Sequence, residues 1–142
     1  MYAQSRELYQ QPIEMNITNP ISGSSYDPDL FGPAFWFSLH NGSTTYPINP
    51  TTFIQTGMKN LIINLPLLIP CIICKEHFYS FLRKANLDQA TNSRENLFKF
   101  FVDIHNNVNN RYNRPVMSLE NAKIMYGYNK PGVGSNIRIK YE

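Results

Sequence analysis

The chain has 142 residues, of which 42% are hydrophobic, 13% aromatic and 16% charged, and its formal net charge is +3. That composition excludes a disordered tail and describes one globular domain with enough apolar side chain to build a core. Lysines and arginines are dispersed with no basic run, which argues against a nucleic-acid partner, and the most apolar window, 61–73, is too short to span a bilayer and is broken by Asn64, Pro66 and Pro70.

Residues 1–28 carry Gln, Asn, Ser, Gly and Pro with no helical or alternating period, so an extended N-terminal arm is expected. Met1–Gln10 is polar and lacks the basic start and apolar centre of a secretory signal, which points to a cytoplasmic protein. The patterns Asn16-Ile-Thr18 and Asn41-Gly-Ser43 match glycosylation acceptors but would matter only in a secreted chain. From Leu30 the pattern changes. Phe31, Phe35, Trp36, Leu39 and His40 recur at three- and four-residue steps, predicting a first helix with Pro33 near its start and its end near Asn41-Gly42.

Tyr46-Pro47 and Asn49-Pro50 form a turn, and a second helix begins at Pro50 or Thr51 with Asn49 as its cap. It carries Phe53, Ile54, Met58, Leu61, Ile62 and Leu65 on one side and is stopped by Pro66. A third helix starts at Pro70 and runs through Phe78, Phe81 and Leu82, with Arg83 and Lys84 in its last turn. Residues 86–92 read as loop. Ser93 caps a fourth helix through Leu97, Phe100, Phe101, Ile104, Val108 and Tyr112, ended by Pro115. Ser118 opens a short fifth helix through Leu119, Ala122, Ile124 and Met125, closed by Gly127. In the tail, Ile137, Ile139 and Tyr141 alternate with polar residues and either pair as an edge strand or stay loose. The expected fold is all-α: an antiparallel four-helix bundle with a short fifth helix, spanning 29–128 between the arm 1–28 and the tail 129–142.

The only two cysteines, Cys71 and Cys74, stand three apart at the start of the third helix. A zinc site would want four ligands; the histidines His40, His77 and His105 are scattered, so no metal is expected. Free N–H groups and the positive end of the helix dipole lower a thiol's pKa at such a position, which suits redox chemistry. Two buried, inert cysteines are the bland alternative. No strand-helix-strand pattern brackets the pair, so a thioredoxin-like exchanger is the runner-up.

Three motifs fall on three predicted helices: Gly32-x-x-x-Trp36-x-x-x-His40, Cys71-x-x-Cys74, and His105-Asn106-x-Val108-Asn109-x-Arg111. Trp36 and His40 are four apart on one face, as are His105 and Asn109, so an indole, two imidazoles and amides could converge on a flat, hydrogen-bonding ligand. Taken singly, each has an ordinary explanation in core packing or a solvated face. Together and in this order, they resemble the Erv/ALR family of FAD-dependent sulfhydryl oxidases, in particular the short single-domain forms carried by large cytoplasmic DNA viruses. The resemblance covers roughly Gly32 to Tyr128.

That resemblance implies a helical bundle holding FAD as cofactor, usually as a homodimer, and a reaction in which two thiols and O2 give a disulfide and H2O2. It implies that Cys71 and Cys74 are catalytic, Cys74 next to the flavin and Cys71 outermost. Gly32, Trp36, His40, Cys74, His105, Asn106, Val108, Asn109 and Tyr126 would contact the cofactor, with Val108 also serving packing, and Arg111 would approach a phosphate. His77 has no counterpart and stands as a surface residue. Longer members carry a further shuttle pair of cysteines that this chain lacks, so the partner would be a thiol-bearing protein substrate or a small relay thiol protein. The tryptophan that cellular members carry just before the His-Asn motif is replaced by the Phe100-Phe101 region. The implied location is the cytoplasm, including the viral factory or the virion.

Overall fold

The computed structural model describes residues 13–15, 26–130 and 139–141. Its elements are β1 (Ile13–Met15), α1 (Pro28–Ser43), α2 (Thr52–Asn64), a 3-10 turn (Leu65–Leu68), α3 (Ile72–Leu82), α4 (Leu87–Ala90), α5 (Arg94–Arg111), α6 (Leu119–Met125) and β2 (Ile139–Tyr141). The domain is a helical bundle, as the hydrophobic periods predict. Most of the arm and of the tail lies outside the described residues. Within them, β1 and β2 pair in parallel with Ile13 opposite Ile139 and Met15 opposite Tyr141, so residues 139–141 of the alternating stretch form a strand.

α5 is the axis of the molecule. Leu97, Phe98, Phe100, Phe101, Val102 and Ile104 are buried around much of its circumference, with Leu97, Phe98 and Ile104 at zero exposure. Side chains of this size each stabilise by roughly 1.5–3 kcal/mol when fully withdrawn from water. α1, α3, α4 and α6 all pack on α5, whereas α2 packs on the 3-10 turn and on α4. The turn after α1 is pinned to the start of α5: the Tyr46 hydroxyl donates to the Thr91 carbonyl at 2.7 Å, and Arg94 Nε donates to the Tyr46 carbonyl. Ser93 caps α5 through Oγ, which accepts from the Asn96 N–H at 3.1 Å, as the sequence predicts. Ser118 does the same for α6 with the Asn121 N–H, and Gly127 follows with φ 66°.

Five local expectations change. α1 begins at Pro28, capped by Asp27, whose carboxylate accepts from the Asp29 N–H at 2.9 Å. Pro28 supplies the preset φ of a first turn, and Pro33 therefore sits inside the helix. α2 is capped by Thr51 instead of Asn49, because the Thr51 hydroxyl reaches the Ile54 N–H at 3.3 Å. Pro66 sits in the first turn of the 3-10 segment Leu65–Leu68 instead of ending all helical structure, since proline lacks only the N–H that a first turn leaves unused. α3 is capped by Cys71 in extended backbone (φ −85°, ψ 118°), so Pro70 stays outside the helix and Arg83 and Lys84 lie beyond its last residue. Residues 87–90, predicted as loop, form α4 because the Asn86 side chain accepts from the Gln89 N–H at 3.1 Å.

Candidate functional site

Cys71 and Cys74 are joined as a disulfide at the N-terminus of α3, with their Cα atoms 5.1 Å apart. Cys71 Sγ also accepts from the Cys74 N–H at 3.2 Å, so the sulfur that caps the helix is the one that closes the bridge. No acidic residue lies in the first turn of α3, which leaves the positive end of the helix dipole uncompensated beside the sulfurs. The two cysteines differ in position. Cys74 lines a cleft between α1, α3 and the second half of α5, and Cys71 does not.

The cleft encloses about 880 Å³ including its open mouth. Gly32 and Trp36 come from α1, Cys74 from α3, and His105, Val108 and Asn109 from α5, so six of the residues in the three motifs meet on one wall system. Trp36 and His105 stack almost in parallel, with ring centroids 4.1 Å apart and 3° between planes. Phe31, Phe35 and Phe78 add apolar surface. A Cβ on Gly32 would meet only Trp36 Cδ1 at 4.0 Å, so the glycine is not there for want of space.

His40 and Tyr126 lie behind the stack. They line a small internal cavity with Asn106, Met117 and the far side of His105 and Asn109. His40 Nε2 is 2.9 Å from His105 Nδ1, and the His40 ring packs on Tyr126 with centroids 4.5 Å apart. Burial holds the pKa of His40 down to about 3, and burial together with the Arg114 charge does the same to His105. Both rings are therefore neutral at physiological pH, and one donates to the other. Among the described residues, His40 Nδ1 is buried without a hydrogen-bond partner.

The asparagines hold the chain that follows α5. Asn106 Nδ2 donates to the Met117 carbonyl at 2.7 Å and its Oδ1 accepts from the Met117 N–H at 2.9 Å. Asn109 Nδ2 donates to the Pro115 carbonyl at 3.1 Å, and its own carbonyl accepts from the Arg114 N–H at 2.8 Å. Asn113, between these anchors, takes φ 51°, a left-handed conformation that asparagine tolerates better than most residues. The turn carries Arg114 back over the cleft, where its guanidinium pairs with Asp29 Oδ1 at 2.6 Å.

Arg111 is placed elsewhere. It is exposed and borders a separate surface hollow with Ser80, Phe81, Lys84 and Asn107. Arg114, Tyr112 and Asp29 line the cleft without having been singled out as site residues from the sequence, and His77, expected as a surface residue, is half-buried in its wall. His77 could have been found, since it stands three after Cys74 on the same helical face. Arg114 could not, because its direction is set by the turn at Asn113. Among the described residues no group of three or more His, Cys, Asp or Glu could hold a metal ion, and no helix is long and apolar enough to cross a membrane.

Residues 33–127 match the model of the Erv1 / Alr family. A protein of Invertebrate iridescent virus 3 is 39% identical over 94 residues, which is 66% of this chain and 64% of that protein, so the match spans just under two thirds of that relative. The FAD-linked sulfhydryl oxidase of African swine fever virus (isolate Pig/Kenya/KEN-50/1950) is 30% identical over 96 residues, 68% of this chain and 79% of its own length. The crystal structure of the FAD binding domain of Erv1 from Saccharomyces cerevisiae superposes with a TM-score of 0.67 at 25% identity, covering 76% of this chain and 98% of that one.

Proposed function

The chain belongs to the Erv1 / Alr family, and from that membership we propose that it is an FAD-linked thiol oxidase whose working cysteines are Cys71 and Cys74. The observation that carries this reading is that Cys74, one half of a disulfide, shares a cleft with the flat Trp36–His105 stack. A planar, partly apolar dinucleotide suits that cleft: aromatic faces for its rings, and one cation, Arg114, at the rim for a diphosphate. Arg114 takes this role in preference to Arg111, which borders a different hollow. Gly32, Trp36, His105, Val108 and Asn109 form the contact wall, while His40, Asn106 and Tyr126 support it from behind.

Held in that cleft, FAD would supply a two-electron acceptor for the thiol pair, with O2 as the final oxidant and H2O2 as its product. The chain's own residues handle the sulfur chemistry. A substrate thiolate attacks Cys71 Sγ, the Cys71–Cys74 bond breaks, and Cys74 leaves as a thiolate at the positive end of α3. A second substrate thiol resolves the mixed disulfide and leaves the pair reduced. The direction follows from placement, since Cys71 lies outside the cleft and Cys74 lines it.

The oxidase unit in this proposal is 29–128, with 1–28 as arm and 129–142 as tail. A homodimer is supported by the apolar side chains that α2 and the turn after it leave in water: Phe53 at 88% exposure, Leu61 at 51% and Leu68 at 79%. The substrate is a thiol-bearing protein or a relay thiol protein, and the site of action is the cytoplasm, viral factory or virion. The test is the visible spectrum of the purified chain, followed by heat release of the pigment and oxygen uptake with dithiothreitol. A yellow protein that releases FAD and forms peroxide is expected. A colourless, folded protein that refuses added FAD would overturn the reading in favour of a flavin-free disulfide exchanger.

A further inference from the structure

His77 stands one turn after Cys74 on α3 and lines the same cleft, half-buried. Side chains three apart on a helix are neighbours, so imidazole and sulfur share one side of the cleft. Among the described residues no hydrogen bond engages the His77 ring, which leaves it available to a group in the cleft. The charged and titratable groups around it are Glu76 on its own helix, Asp29 on α1, His105 and Arg111 on α5, and Tyr112 and Arg114 beyond α5. Desolvation first, and then the Arg111 charge, lower its pKa, with Glu76 opposing. In the disulfide form the ring is therefore neutral near pH 7 and has a lone pair to offer.

We propose that His77 is the proton acceptor of the Cys74 thiol, so that reduction of the disulfide yields a thiolate–imidazolium pair inside the cleft. The role of that pair rests on the thiol-oxidase reading. Substrate oxidation transfers two electrons to the cysteines: one S–S bond forms between the substrate sulfurs, the Cys71–Cys74 bond breaks, and both cysteine sulfurs are left negative. A proton gained from solvent would make Cys74 a poor nucleophile for its next step. With His77 beside it, that proton goes from Cys74 Sγ to the imidazole, leaving sulfur negative and the ring positive, with no net change in charge. Cys71, outside the cleft, has no such acceptor in its wall.

The full chain carrying Cys71→Ser keeps Cys74 as a lone thiol, and its alkylation by iodoacetamide is followed against pH with and without His77→Gln. The expected result is an alkylation midpoint about one unit higher in the His77→Gln chain, with about tenfold less thiolate at neutral pH. Superimposable curves overturn the proposal. A second measurement keeps His77 in place: its ring is titrated by NMR in the Cys71→Ser and Cys71→Ser/Cys74→Ser chains. A higher ring midpoint when Cys74 is present supports the pair, and equal midpoints overturn it. Neither readout needs flavin or turnover. A colourless chain that shows the coupling fails the oxidase reading alone, and a yellow, active chain without the coupling fails this proposal alone.

Discussion

His40 Nε2 and His105 Nδ1 face one another at 2.9 Å inside the bundle, joining α1 to α5 through two neutral rings. His105 spends its outer face on Trp36 and its edge on His40, so the cleft wall is backed by a hydrogen bond as well as by packing.

This pair makes folding sensitive to acid. Both pKa values fall from the ordinary 6.5 to about 3 on folding, so between these values the unfolded chain binds more protons and stability rises with pH. The unfolding free energy should hold above pH 6.5 and fall as pH drops toward 3, by up to about 1.4 kcal/mol per pH unit for each histidine, with the melting temperature falling alongside. His40→Gln should flatten part of that slope in a series of thermal melts, and an unchanged slope would refute the assignment.

The two cysteines should separate turnover from cofactor retention. Cys74→Ala and Cys71→Ala should each abolish catalytic oxidation of dithiothreitol while leaving the yellow pigment bound, since neither change removes the aromatic wall. Oxygen uptake and the flavin spectrum of each variant check this.

Arg114 and Arg111 should not be equivalent. Loss of a charge-assisted contact costs about 1.5–3 kcal/mol, so Arg114→Ala should weaken FAD binding roughly 10- to 100-fold. Arg111→Ala should change it by less than about twofold, because that side chain borders another hollow. Titration of the apo chain with FAD gives both constants.

Asn106 should matter for stability before it matters for chemistry. Both of its side-chain hydrogen bonds go to the Met117 backbone. Asn106→Ala strands a partly buried N–H and C=O at the join between α5 and α6, at a cost of about 2–3 kcal/mol. Denaturant unfolding measures it, and Asn106→Asp, which keeps the acceptor, should lose less.

Phe53 should reveal the assembly. It is 88% exposed on α2, and Leu61 and Leu68 are also left in water on α2 and the turn after it. Phe53→Glu should shift the sedimentation of the chain from dimer toward monomer; equal sedimentation of both forms would place the interface elsewhere.

What the sequence determined by itself was local and periodic. The three- and four-residue spacing of Leu97, Phe100, Phe101 and Ile104 announced α5, and Ser93 and Ser118 marked their helices because a hydroxyl caps an N–H only three residues away. Cys71 and Cys74 were legible as a pair for the same reason, both partners lying within one helical turn, and they are joined as a disulfide. The tertiary structure decided which side chains share a cavity. His40 and His105 are 65 residues apart, and only the packing of α1 on α5 makes them hydrogen-bond partners. Arg114 reaches the cleft, and Arg111 does not, because the chain turns at Asn113 and crosses to Asp29, 85 residues away. Direction after a helix end depends on a single backbone dihedral and on long-range partners, and neither is written in the spacing of the residues that line the result.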